Sequence, residues 1–131
     1  MSITPVFYSA LFFSLLSIQG IVLAYLIVQV RKSDQIGVAD GGNSKLLRRM
    51  RVQANFLEYF IPFAALFLVY ELNQGHENIL IGAGSLFLFA RVIHSLGFLK
   101  SGGYSHGRFY GTLITWLVIL FMAGANLYNL V

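Results

Sequence analysis

Cysteine is absent from this 131-residue sequence, which excludes disulfides and a catalytic protein thiol. Any thiol chemistry would need a sulfur brought by a ligand. Charge is also scarce: 11% of residues are charged and only five are acidic, against 57% hydrophobic residues. That balance lies far from soluble globular composition and indicates one integral membrane domain over residues 1–131. His76, His94 and His106 are not at ligand spacing, so no metal is expected. The net charge of +4 comes from basic residues clustered beside apolar runs, so membrane topology accounts for it without a nucleic-acid partner.

What is present is four apolar runs. Pro5 to Val30 carries no charge and is long enough for one transmembrane helix, with Arg31 and Lys32 at its interfacial end. It is too long for a signal-peptide core and is expected to be a retained span. Asp34, Asp40, Gly41-Gly42 and Asn43 interrupt helix before Ser44 can start the next one. The second span is expected at about 51–73, the third at about 79–99 and the fourth at about 109–131. Asn73 to Asn78 is a short turn, which predicts antiparallel spans two and three. The fold class is therefore all-α, an integral membrane four-helix bundle. Gly20, Gly82, Gly84 and Ala123-Gly124-Ala125 are small-residue patches suited to close helix approach and self-association.

Eight of the nine Lys and Arg residues flank the first and third loops: Arg31, Lys32, Lys45, Arg48, Arg49, Arg51, Lys100 and Arg108. The opposite side carries Glu71, His76 and Glu77. The positive-inside rule then places both basic loops in the cytoplasm and both termini outside.

Span two opens with residues that a lipid-facing helix should not have. At roughly 100° per residue, Arg51, Asn55, Glu58 and Tyr59 fall on one face, and Val52, Phe56, Leu57, Phe60 and Ile61 on the other. A charge in lipid costs about 2.5–3.5 kcal/mol on insertion scales, so such residues are expected to face a bundle interior and mark a ligand site. Pro62 removes the amide that would bond the Glu58 carbonyl, so a kink or an unpaired acceptor is expected there. Span three carries Arg91, His94 and Ser95 on one face near the same membrane side. With Gln53 close by and Arg108 at the mouth of span four, the set offers a fork for carboxylates, an acceptor for an ammonium group and amides for peptide bonds. A small zwitterionic peptide fits it. The structural alternative is a bridge between Glu58 and Arg91, with Asn55 as an interhelical contact and His94 as a satisfied interfacial histidine.

Arg51-Val-Gln-Ala-Asn55-Phe-Leu-Glu58-Tyr59-Phe-Ile-Pro62-Phe resembles the second-helix signature of the membrane-associated proteins in eicosanoid and glutathione metabolism, the MAPEG family. Leu88-Phe89-Ala90-Arg91 with Gly97-Phe98 resembles its third-helix motif, and Ala39-Asp40-Gly41-Gly42 the first loop of its short bacterial members. The resemblance implies a homotrimer, in a bacterial inner membrane, with glutathione as co-substrate between neighbouring subunits. Arg51, Asn55, Glu58 and Tyr59, with Gln53, Arg91 and His94 near them, would hold the peptide, and Arg108 would stabilise its thiolate. The implied activity is conjugation of glutathione to lipophilic electrophiles, with reduction of lipid hydroperoxides as a side activity. The alternative is a non-catalytic lipid-binding or scaffold member. His94 and Phe98 stand where eicosanoid-forming members carry tyrosines, which argues against leukotriene-type chemistry.

Overall fold

A computed structural model describes residues 6–130. The chain forms four helices: α1 Phe7–Asp34, α2 Ser44–Leu72, α3 Glu77–Lys100 and α4 His106–Tyr128. All four are long and apolar enough to cross a membrane. Pro5 and Val131, the outer limits expected for spans one and four, lie outside the described residues.

The helix ends follow local chemistry. The expected break in the first loop is there, but α1 continues through Arg31 and Lys32 to Asp34 before Gln35 turns left-handed at φ +54°. Arg31 then donates to the carbonyls of Ile36 and Gly37, both at 3.3 Å. Asn43 caps α2 by accepting from the Leu46 amide at 3.0 Å, so α2 starts seven residues ahead of Arg51 and the first loop is shorter than expected. The α2–α3 turn wraps onto Tyr70, whose hydroxyl accepts from the His76 amide at 3.3 Å. A Cβ on Gly75 would collide with that ring. Ser105 caps α4 through the Arg108 amide at 3.2 Å.

Contacts place α2 and α3 in the middle, with α1 packed mainly on α2 and α4 mainly on α3. The core is aromatic: Phe12, Phe56, Phe63, Phe67 and Phe87 are all buried, and Phe63 stacks on Phe87 with centroids 3.8 Å apart. Large aliphatic side chains such as Ile21 and Leu120, 72% and 69% exposed, form the outside. That inversion of the soluble pattern is what a lipid solvent requires.

Of the glycines expected to let helices approach, Gly20 and Gly84 do so within the chain and Gly82 and Gly124 do not. Gly20 and Gly84 face the rings of Phe56 and Phe12, and Gly82 and Gly124 have nothing within 4 Å of where a Cβ would sit. The backbone-to-backbone approach is made by Gly97, Gly107 and Gly111. A Cβ on Gly107 would lie 2.7 Å from the Ile93 carbonyl oxygen, and one on Gly111 would lie 2.7 Å from that of Ala90. Gly107 and Gly111 are one turn apart, so they form a groove in α4 that lets α3 sit close enough for their polar side chains to meet.

The end opposite the basic loops has its own polar clamp. The N-terminus of α1 has no side-chain cap of its own and no acid in its first turn. Its amides are taken by Glu71 of α2: Tyr8 N–H donates to Oε1 and Ser9 N–H to Oε2, both at 2.7 Å. Glu77 of α3 accepts from the Tyr8 hydroxyl. Glu71, read from sequence only as a residue of the far side, is thus a buried cap joining two helices.

Candidate functional site

Glu58 is the central residue of α2, with fourteen helical residues on either side of it. Helix α2 presents its polar face as expected, but that face does not close inside the single chain. The side chains of Arg51 and Glu58 are 57% and 53% exposed and pair loosely, at 3.9 Å. Within one chain Glu58 turns outward rather than into the four-helix interior. The reason is geometric. Val52, Phe56 and Phe63 occupy the side of α2 that packs on the other helices, and Arg51 and Glu58 lie away from it. Leu57 and Ile61, grouped by periodicity with the inward apolar face, are also exposed. The helix runs through Pro62 to Leu72.

Behind this face lies a buried polar network joining three helices. Arg91 of α3 is fully buried. Its Nη2 donates to Asn55 Oδ1 at 2.8 Å and lies 3.1 Å from His94 Nδ1, while Nη1 donates to Thr115 Oγ1 at 3.3 Å. A guanidinium has no acceptor, so His94 accepts at Nδ1 and, when neutral, carries its proton on Nε2. Thr115 Oγ1–H in turn donates to the Gly111 carbonyl at 2.7 Å. The bridge between Glu58 and Arg91 weighed from sequence is not formed; Glu58 pairs with Arg51. Among the described residues no carboxylate lies within ion-pair distance of Arg91, whose neighbours are neutral dipoles and the Tyr59 ring, 5.4 Å from Cζ to centroid. Retaining an unpaired cation inside an apolar bundle is costly.

Tyr59 is held from α4, where Trp116 Nε1–H donates to its hydroxyl oxygen at 2.9 Å. Trp116 is half exposed and separates two grooves. One, of about 350 Å³, is lined by Arg108, Thr112, Leu113 and Tyr104. The other, of about 380 Å³, is lined by Glu58, Tyr59, Pro62 and Leu120. Arg108 lies apart from the Arg91 network. Its guanidinium sits 4.0 Å over the Phe98 ring and donates to the Gly103 carbonyl at 3.3 Å.

The sequence-predicted residues therefore fall into three groups. Asn55, Tyr59, Arg91 and His94 come together, Arg51 and Glu58 form an exposed pair, and Arg108 stands at the loop between α3 and α4. Gln53 is half-buried beside them and enters none of these contacts. Sequence reasoning missed Thr115, Trp116 and the Gln19–Ser95 hydrogen bond at 3.2 Å. Gln19, an amide in the middle of an uncharged and mostly apolar span, was the available signal for the last.

Comparison with known proteins agrees with this architecture. The chain is similar to inner membrane protein YecN of Escherichia coli K12 and to the protein of the same name in Escherichia coli O6:H1, each 29% identical over 126 residues, or 92% of this chain and 90% of the relative. The model of the MAPEG family matches residues 9–128. Matched from the first helix to the last, with its polar face on the second, this chain belongs to the MAPEG family.

Proposed function

We propose that this protein is a membrane glutathione transferase that joins the glutathione thiolate to lipophilic electrophiles, with peroxidase activity towards lipid hydroperoxides as an accessory reaction. The observation that supports this most directly is the uncovered Arg51–Glu58 pair in the first turns of the second apolar span. One chain leaves both charges uncovered where the helix enters its apolar stretch. A homotrimer that covers this face, with a zwitterionic peptide held at the subunit boundary, satisfies them. The inner-membrane location named for the relatives is proposed here too, with the basic loops cytoplasmic.

In this reading Arg51, Asn55, Glu58 and Tyr59, with Gln53 nearby, grip the peptide, and Arg91 and His94 act from behind them. Arg108 supports the chemistry. A free thiol titrates near about 8.5, and a close guanidinium lowers that value by stabilising the anion. Phe98 and the Gly103 carbonyl hold Arg108 at the mouth of the groove that Trp116 borders. The grooves on either side of Trp116 are bordered by exposed apolar side chains such as Leu113 and Leu120, which suits an electrophile arriving from the bilayer.

Calorimetry on the detergent-purified protein, with the thiolate ultraviolet band followed in parallel, tests the reading. Binding with thiolate at neutral pH is expected, and loss of both binding and turnover in Arg51→Ala and Glu58→Gln with the oligomer intact. No binding at millimolar glutathione would transfer the weight to a non-catalytic lipid-binding scaffold.

A further inference from the structure

Two polar side chains on the open face of α2 have their acceptor atoms occupied from inside the bundle. Arg91 offers only donors, so the atom of Asn55 that meets it at 2.8 Å is Oδ1, and the amide nitrogen is directed elsewhere. Trp116 Nε1 is likewise donor only, so at 2.9 Å Tyr59 is the acceptor and keeps its own hydroxyl proton to give. Among the described residues neither the Asn55 amide nitrogen nor the Tyr59 proton has a partner within the chain. Asn55 and Tyr59 are one turn apart, and Arg51 is one turn before Asn55, so three donor groups form a row along α2. Glu58 is the one carboxylate beside them.

We propose that Arg91 and Trp116 are positioning residues that fix the donor polarity of this face, so that the group it takes at Asn55 and Tyr59 is a carboxylate of the ligand. An amide in water-exposed surroundings can turn either way and bind an acceptor or a donor equally well. With Oδ1 pinned by a buried guanidinium, Asn55 loses that choice. Arg91 also adds its unpaired positive charge behind the row, and in a low-dielectric setting that attraction reaches an anion it does not touch. This refines the glutathione reading of the same site, because it states what the ligand must present there.

The discriminating variant is Asn55→Asp. It keeps the shape and gives Arg91 a charged partner, so the fold is expected to be as stable as the parent or more so. It removes both N–H donors and places a negative charge before the ligand carboxylate, so affinity is expected to fall by between about tenfold and a hundredfold. Trp116→Phe, which keeps the ring and drops the donor, is expected to cost about three- to tenfold. Three probes are measured by calorimetry on the intact detergent-purified oligomer: glutathione, its glycine-carboxylate amide and its γ-glutamyl α-carboxylate amide. In the parent, one of the two amides binds more weakly than glutathione. In Asn55→Asp that difference disappears, because the carboxylate no longer has its donors. An Asn55→Asp protein that binds all three with parent affinities and parent ranking overturns the proposal, as does equal loss for all three with the ranking kept. Parent protein that ignores glutathione but binds γ-glutamylcysteine with the same loss on Asn55→Asp would refute glutathione as the ligand and uphold the carboxylate assignment. Binding of none of these would refute both.

Discussion

Replacing Glu71 tests whether a bundle with so few acids depends on one of them for its first helix. The carboxylate is 8% exposed and accepts two α1 amides at 2.7 Å. Hydrogen bonds to a charged group are worth about 1.5–3 kcal/mol each, so the pair sets a ceiling of about 3–6 kcal/mol for Glu71→Ala. Fraying of the first turn of α1 can rehydrate the freed amides and limits the loss. An N-cap deletion costs about 0.5–2 kcal/mol, and here two amides are freed in a poorly hydrated place. The expected destabilisation is therefore about 2–3 kcal/mol for Glu71→Ala and about 1–2 kcal/mol for Glu71→Gln, which keeps one acceptor but loses the charge that the helix dipole favours. The assay is unfolding of the detergent-solubilised protein by increasing dodecyl sulfate, read by circular dichroism, together with hydrogen exchange at Tyr8 and Ser9. Faster exchange confined to the first turn of α1, with a lowered midpoint in the order Ala below Gln below parent, is the expected result. Unchanged midpoints and unchanged protection at both amides would refute the reasoning.

Two further perturbations test the interior. Gly111→Ala places a methyl group 2.6 Å from His94 Cβ and 2.7 Å from the Ala90 carbonyl oxygen. Overpacking of this kind costs about 1–3 kcal/mol, and because α3 must move away, the Arg91–Thr115 bond should lengthen and glutathione affinity should fall along with the unfolding midpoint. Phe63→Ala removes a fully buried ring stacked on Phe87 and should cost about 3–5 kcal/mol in the same unfolding assay, with ligand affinity retained once the protein is folded.

Much of this was legible in the chain. The four apolar runs, the polar break ending at Asn43 and the short turn after Asn73 correspond to the helices found, because in lipid a backbone has few ways to satisfy its own hydrogen bonds other than helix. The polar face of Arg51, Asn55, Glu58 and Tyr59 was legible for the same reason, since 3.6-residue periodicity is local. What could not be read was where that face points. Periodicity ranks residues around one helix but says nothing of which sector meets a neighbour. So Leu57 and Ile61 were grouped with Val52 and Phe56, although the first two are exposed and the others buried. Gly82 and Gly124 looked like contact points and touch nothing within the chain, while Gly107 and Gly111 lie where α3 and α4 meet. Glu71 carried no mark distinguishing it from Glu77 until α1 was seen to end against it.

The sequence by itself determined the solvent, the number of spans, the distribution of charge between the two ends and the identity of the polar face. These depend on composition and on interactions within a few residues. Only the tertiary structure decided the partners. It put Arg91 behind Asn55 and Trp116 behind Tyr59, residues 36 and 57 positions apart in the chain. It also left Arg51 and Glu58 turned outward. A hydrogen bond between side chains so distant in sequence depends on how helices cross, and the crossing is set by the summed packing of the aromatic core and the glycine groove of α4, which no single segment encodes.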